Sequence, residues 1–418
     1  MNSNTPAGLQ TDRITRVIFE YAARIGGAQD PDLLLELNAG LARDLVAADR
    51  CSIWLADTNC GELWTKVAHG MPEIRIPAGQ GLVGACIDTN ETLLVNDTST
   101  DPRFAGGVDK ESGYVTHSVL VIPLHGSGGK VIGALQALNK PGGFSADDVN
   151  LLGLAATYAA SAIEAQRLRQ EAETTRLLYR ELEIARSVQE RLLPEHPPVV
   201  EGLEWAAFCR PAKFVGGDYY DFITPPGDSL AFTQGDVCGK GIAAAMLMAS
   251  LQSLLRSELA RAPASLASLM NKFNDAVCHS VLPEGYSTLF CGQIDKQRKR
   301  LTYVNAGHVR PILLRASGLL DRLDVGGTPV GLFKAARYEE GQVDLAPGDV
   351  LVCYSDGIGE VTNAAGELWQ EAEIERVLRQ SVRSTASGIV EDIVGAAAGY
   401  AGGAEQADDM TVIALRVL

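Results

Sequence analysis

Leu230-Ala-Phe-Thr-Gln-Gly-Asp236-Val-Cys-Gly-Lys-Gly241 is the stretch that decides how the second half of this chain reads. An apolar run ends on an aspartate, and a glycine-rich turn then opens the helical pattern of Ile242 to Leu259. Strand ends hold side chains rigidly, and glycine lets backbone and ligand approach closely. The same grammar recurs on either side. Gly216-Gly217-Asp218-Tyr-Tyr-Asp221 follows one strand-like run, and Val350-Leu-Val-Cys-Tyr-Ser-Asp356-Gly357 ends another. Gln406-Ala-Asp408-Asp409-Met-Thr-Val-Ile413 sets two aspartates before the last strand, Val412 to Leu418. One such motif alone reads as a turn. Four in one zone point to carboxylates that converge.

Converging carboxylates repel one another unless a cation sits between them. Carboxylate and carbonyl oxygens select hard divalent ions such as Mg²⁺, Mn²⁺ or Ca²⁺. The chain has six histidines, none beside these aspartates, which disfavours zinc.

The 418 residues suggest two to four domains at roughly 100–200 residues each. Composition, 46% hydrophobic and 21% charged, is that of a folded globular chain. A net charge of −16 argues against nucleic acid and anionic membrane surfaces as partners. No long uncharged apolar run suggests a spanning helix, and the N-terminus lacks the basic and apolar regions of a signal peptide. Eight scattered cysteines form no C-x-x-C pair and read as reduced thiols. The expected location is the cytoplasm.

Three zones follow along the chain: residues 11–165, 166–195 and 196–418. The first opens with helical periodicity (Ile14, Val17, Ile18, Tyr21, Ile25) and a second helix from Asp32 to Val46. Arg50–Asp57 alternates as a strand, and Gly126-Ser-Gly-Gly129 joins Ser118–Leu124 to Val131–Leu138 as a hairpin. An antiparallel sheet with helices on one face is expected. From Ser145 to Leu193 there is no proline, and Asp147 and Asp148 sit in the first turn, where they meet the helix dipole. Ala165, Leu168, Ala172, Thr175, Leu178, Leu182, Ala185, Val188 and Leu192 recur at spacings of three and four. They predict a parallel coiled-coil homodimer with a register break near Leu178. The third zone reads as α+β with stacked sheets and helices near Ile242–Leu259, Leu266–Val281 and Glu371–Gln380.

The run GGDYYD, GDVCGKG, Asn305-Ala-Gly-His308, Pro329–Phe333, Tyr354–Glu360 and Asp408–Thr411 resembles the metal-dependent protein phosphatases (PPM, type 2C), in their SpoIIE/RsbU-like branch. The resemblance covers Glu201 to Leu418. It implies a β-sandwich flanked by helices, two Mn²⁺ or Mg²⁺ ions, and hydrolysis of phosphoserine or phosphothreonine on a protein. Asp236 matches the bridging ligand, with the Val237 carbonyl and Asp218 on the second ion and Asp356 and Asp408 on the first. Asp409 stands where asparagine is common and is taken as an orienting neighbour and fallback ligand. Gly359 replaces the family's more usual threonine. Two cations about 3.5–4 Å apart lower the pKa of a bridging water, so no covalent nucleophile is needed. His308 reads as a structural residue, with general acid as its alternative role. The branch implies a phosphorylated STAS-type anti-sigma factor antagonist as substrate, in a partner-switching pathway.

The first zone, over Asp32 to Arg167, resembles a GAF domain of the cyclic-nucleotide phosphodiesterase type. Arg50–Asp57, Glu73–Gly84, Asp101–Phe104, Val108–Thr116 and Val131–Lys140 carry the likeness, with Phe144 and Asp148. Val149, Ala68 and His69 depart from that pattern. The positions lining the nucleotide pocket fall on Ser52, Leu82, Val83, Asp109, Thr116 and Gln136, which implies a cyclic-nucleotide effector. A GAF fold that only dimerises, or that binds another small molecule, is the alternative. For the whole chain the alternatives are a pseudophosphatase adaptor that binds a regulator without turnover, and a phosphodiesterase. The intact aspartates oppose the first, and the lack of a His-Asp cluster in the third zone opposes the second.

Overall fold

Cys51 and Ile53 face one side of the strand Arg50–Asp57 and Trp54 faces the other, and all three are buried. Side chains alternate along a strand, so this sheet has two covered faces. The computed structural model describes residues 7–418 apart from 29, 58–59, 66–72, 226–228, 262, 281–284, 296 and 298. Ala68 and His69 lie outside the described residues. The chain divides into two units between Arg176 and Leu177.

The first unit runs α1 (Ala7–Gly27), α2 (Pro31–Val46), β1 (Arg50–Asp57), β2 (Glu62–Thr65), β3 (Ile74–Pro77), α3 (Gly81–Thr89), β4 (Leu93–Val95), α4 (Gly107–Ser112), β5 (Val119–His125) and β6 (Val131–Leu138), then enters α5 (Ala146–Glu190). Its antiparallel sheet has the order β3-β2-β1-β6-β5-β4. Helix α2 starts on Pro31 behind Asp30, whose carboxylate accepts from the Asp32 N–H at 3.0 Å. Leu34, Leu35, Leu152 and Ala156 of the helices pack on Ile53, Leu120 and Leu135. The other face is covered as well, by Leu82, Val83 and Cys86 of α3 against Trp54, Val119, Val121 and Ala134. Helices on one face were expected. The unbroken apolar run Val119-Leu-Val-Ile122 buries both sides of β5 instead, as continuous apolar strands do.

Helix α5 is 45 residues long. At its start Asp148 accepts from the N–H and hydroxyl of Ser145 at 2.8 and 2.9 Å and pairs with Lys140. Together these contacts tie the first turn of α5 to the residues that follow β6.

The second unit continues with β7 (Leu203–Arg210), β8 (Tyr219–Ile223), β9 (Leu230–Val237), α6 (Ile242–Leu259), α7 (Leu266–Ser280), β10 (Ser287–Ile294), β11 (Arg300–Ala306), β12 (Ile312–Leu314), β13 (Leu320–Arg322), β14 (Gly326–Gly327), β15 (Gly341–Asp344), β16 (Val350–Tyr354), α8 (Asp356–Gly359), α9 (Glu371–Ser381), α10 (Ala386–Ala401) and β17 (Met410–Val417). One sheet has the order β14-β11-β10-β9-β8 with β15 on β11, and the other β13-β12-β16-β17-β7. Trp205, Phe222, Phe232, Phe290, Leu351 and Ile413 fill the space between them. Helices α6 and α7 cover the outside of the first sheet, and α9 and α10 the outside of the second. The result is a four-layer sandwich. The sequence reading does not anticipate α10. Three glycines (Gly388, Gly395, Gly399) weaken its intrinsic propensity. Burial of Ile389, Val390, Ile393 and Ala397 stabilises it from outside the segment.

Candidate functional site

The two sheets of the sandwich meet at one end. Tyr219 pairs with Gly235, so the start of β8 lies beside the end of β9. Tyr354 pairs with Val412, so the end of β16 lies beside the start of β17. The Thr411 hydroxyl crosses between sheets and donates to Asp218 at 2.7 Å. Gln234 crosses the same way to the Thr411 carbonyl at 3.3 Å. Asp218, Asp236, Asp356 and Asp408, each at a strand end or in the turn beside it, thereby lie at the same end, with Asp236 within electrostatic reach of the other three.

Close backbone approach depends on missing side chains. A Cβ on Gly217 would lie 2.6 Å from the Val237 carbonyl oxygen and 3.3 Å from an Asp236 oxygen. A Cβ on Gly357 would lie 2.0 Å from the Asp409 carbonyl oxygen. Asp409 itself is committed to backbone. Its two oxygens accept from the Ala212 and Gly217 N–H groups, both at 2.7 Å, so it shapes the loop that carries Asp218. Ser355 reinforces the joint by donating to the Asp409 carbonyl at 3.0 Å and accepting from the Thr411 N–H at 2.9 Å.

The carboxylates oppose one another electrostatically. Burial, then Asp356, Asp408 and Asp409, push the Asp236 carboxyl up to about 7. Burial and then Asp236 raise Asp218 well above the carboxylate range, and burial with Asp408 and Glu360 raises Asp356. Lys240 brings positive charge to the cluster, its Nζ lying 2.8 Å from Asp408. A divalent cation among them would outweigh this repulsion and favour the ionised carboxylates. The all-oxygen donor set, its mutual repulsion and the space at Gly217 fit such an ion. Among the described residues no three of these groups close on one point as they stand.

In the first unit, a cavity of about 270 Å³ opens between the sheet, α3 and α4. Leu82, Val83, Asp109, Thr116 and Gln136 line it, together with Trp54, Arg75 and Phe104. Ser52 is buried beside Gln136 in the sheet register but is not part of the lining. The polar groups are engaged with one another. Asp109 accepts from the Thr116 N–H and hydroxyl at 2.8 and 2.9 Å, and Gln136 accepts from the Trp54 indole at 2.9 Å.

Residues 226–418 match the family model of stage II sporulation protein E (SpoIIE), and residues 30–163 match the GAF domain. The chain thus carries a GAF-like region followed by a SpoIIE-like region. Protein IcfG of Synechocystis is 27% identical over 296 residues, covering 64% of this chain and 46% of that protein. Phosphoserine phosphatase RsbU of Bacillus subtilis is 28% identical over 51% of this chain and 63% of its own length. The dual 3′,5′-cyclic-AMP and -GMP phosphodiesterase 11A of Takifugu rubripes is 32% identical over 32% of this chain and 17% of its own length. The chain thus spans less than two thirds of each of these curated relatives. The SiaA-PP2C domain of Pseudomonas aeruginosa has the same fold, with a TM-score of 0.53 at 20% identity, over 59% of this chain and 99% of that domain.

Within the SpoIIE-type domain, His308 is buried and its imidazole is pulled down to about 4 by that burial. Its backbone N–H donates to the Asn305 side-chain oxygen at 2.8 Å, and ring Nδ1 meets the Thr288 hydroxyl at 2.9 Å. A neutral imidazole of this kind is a packing element at neutral pH. Lys240 and Thr411 are site residues that motif reading passed over although both lie inside motifs, because their partners are far away in sequence. Among the described residues no helix is long and apolar enough to cross a membrane.

Proposed function

We propose that this chain is a metal-dependent protein serine/threonine phosphatase regulated by its GAF domain, acting on a phosphorylated STAS-type anti-sigma factor antagonist. The observation that carries the reading is the gathering of Asp218, Asp236, Asp356 and Asp408 from two sheets at one sandwich end. Similarity to phosphoserine phosphatase RsbU supports phosphoserine as the group hydrolysed. Asp236 and Asp218, with the Val237 carbonyl, would hold one divalent cation, and Asp356 and Asp408, with Asp236 shared, the other. Bound there, Mn²⁺ or Mg²⁺ supplies the positive charge and the acidified water that hydrolysis of a phosphate dianion needs. The chain's own part is placement. Thr411 orients Asp218, Asp409 shapes the Ala212–Asp218 loop, and Gly217 leaves the Val237 carbonyl accessible to a ligand.

For the GAF domain the proposal is a cyclic-nucleotide effector, supported by likeness to phosphodiesterase 11A and by the cavity. A nucleotide there would compete for Gln136, which accepts from Trp54, and for Asp109, which accepts from Thr116. The homodimer is proposed through α5, which leaves Leu168, Leu178 and Val188 exposed.

Purified protein is assayed for phosphate release from phospho-STAS proteins with Mn²⁺, with and without cyclic AMP or cyclic GMP. Turnover that requires Mn²⁺ supports the proposal. Binding of the phosphoprotein with no release makes the chain a pseudophosphatase adaptor.

A further inference from the structure

Lys240 has no role in the ligand set above, yet it reaches into that set. Its ammonium donates to the Ala407 carbonyl at 2.7 Å and lies 2.8 Å from the Asp408 carboxylate. The turn that places it is built for the purpose. Gly239 and Gly241 on either side hold φ of +99° and +79°, a region L side chains rarely adopt, so the chain turns back over the carboxylates before α6 begins. The side chain is 45% exposed and so keeps room to move.

That room is a cavity. A space of about 380 Å³ opens beside Asp408, walled by Ala398 and Ala401 of α10, Met410 and Gly357, with Lys240 at its edge. Arg210 also lines it, but its guanidinium is engaged with Gln406 at 2.8 Å and the Met410 sulfur at 3.2 Å. Glu360 and Glu405 complete the charged lining. A phosphate dianion entering there passes carboxylates and needs a cationic partner that can follow it. Arg210 is held by its partners, whereas the long-stemmed ammonium of Lys240, with three rotatable donors, is able to turn and meet the phosphate.

We propose that Lys240 is a substrate-binding residue of the phosphatase reaction, pairing with a phosphoryl oxygen of the incoming phosphoserine. The inference rests on the phosphatase reading above. Asp408, when it ligates a divalent cation, has little charge left for the ammonium. Lys240 then turns from Asp408 into the cavity and meets the phosphate. In the cation-free protein the same ammonium serves as counter-charge to Asp408. One residue thus serves as counter-charge to Asp408 and receives the substrate.

The test uses the full chain with Lys240→Met and Lys240→Arg. Inorganic phosphate is titrated calorimetrically into the Mg²⁺-loaded proteins, Mn²⁺ is titrated into the cation-free proteins, and p-nitrophenyl phosphate turnover is split into kcat and KM. Loss of a charge-assisted hydrogen bond predicts phosphate binding weaker by about tenfold or more in Lys240→Met. KM should rise in parallel with kcat changed less, Mn²⁺ affinity should not fall, and Lys240→Arg should recover most of the loss. Phosphate affinity and KM within about twofold of wild type overturn the proposal, and so does a loss of Mn²⁺ affinity with phosphate binding intact. Phosphate binding is read without turnover, so an inactive wild-type protein would count against the phosphatase reading and leave this assignment separately decided.

Discussion

Gln189, in the last turn of α5, holds both backbone groups of Gly216. Its amide donates to the Gly216 carbonyl at 2.7 Å, and the Gly216 N–H donates back to its side-chain oxygen at 3.0 Å. Gly216 is two residues from Asp218, and Asp409 holds the intervening Gly217. The end of the long helix is therefore tied by two hydrogen bonds to the loop that carries a carboxylate of the cluster. Tyr179 on Phe214, with ring centroids 5.6 Å apart, adds an aromatic contact to the same loop.

Gln189→Ala removes both bonds and is expected to lower Mn²⁺ affinity about three- to tenfold, with the fold retained. Part-buried hydrogen bonds of this kind contribute about 0.5–1.5 kcal/mol each. Calorimetric Mn²⁺ titration with circular dichroism as the fold control checks it. Unchanged Mn²⁺ binding would mean that the helix end does not govern the Asp218 loop.

Asp236→Asn is expected to abolish phosphate release, by at least about a hundredfold, because it removes a charge from the centre of the donor set. The variant should fold as well as wild type, since the carboxylate is electrostatically strained where it sits. Near wild-type turnover with Mn²⁺ would refute the ligand assignment.

The raised Asp236 carboxyl gives a pH dependence with a definite sign. Its ordinary value is 3.8 and burial among carboxylates lifts it to about 7. The folded state therefore binds the proton more tightly than the unfolded one. That contribution to stability is full below about pH 4 and is lost as pH rises through about 7. Cation-free wild type should lose thermal stability relative to Asp236→Asn across this window, and Mn²⁺ should reverse the order. His308 acts oppositely, because its value is pulled from 6.5 to about 4 and its contribution is lost on acidification. The difference between wild type and variant, followed by calorimetry from pH 4 to 8, isolates Asp236. Parallel melting curves would contradict the assignment.

Leu168, Leu178 and Val188 of the predicted seam are 59%, 57% and 56% exposed, whereas Leu182 and Ala185 are half-buried. Among the described residues the exposed set is left uncovered, and a helix this long gains little from propensity alone. Leu168→Glu combined with Leu178→Glu should convert a dimer to a monomer in sedimentation at micromolar concentration. Wild type sedimenting as a monomer would remove the coiled coil from this account.

Much of the architecture was legible in local pattern. Helix α6 runs from Ile242 to Leu259 as its turn and periodicity predict, and the hairpin around Gly126–Gly129 joins β5 to β6. The strand-end grammar picked out Asp218, Asp236, Asp356 and Asp408, whose role as ligands is part of the proposal. Local pattern could not show that α3 covers a second face of the first sheet, because a run such as Val119–Ile122 does not say what lies on either side. Nor could it expose α10, whose glycines weaken it and whose packing on β17 and β7 restores it.

The residues themselves determined which groups are present and how each segment alternates, since side-chain period and turn chemistry depend on neighbours a few positions apart. Tertiary structure alone decided what each group does. Asp408 and Asp409 are adjacent in sequence, yet one meets Lys240 and the other is bound to the Ala212 and Gly217 backbone. Gln189 became a latch, and Ser52 was left outside the cavity that Gln136 lines. Such roles depend on partners up to about two hundred residues away, brought together only when two sheets close on one core, and no local period encodes that distance.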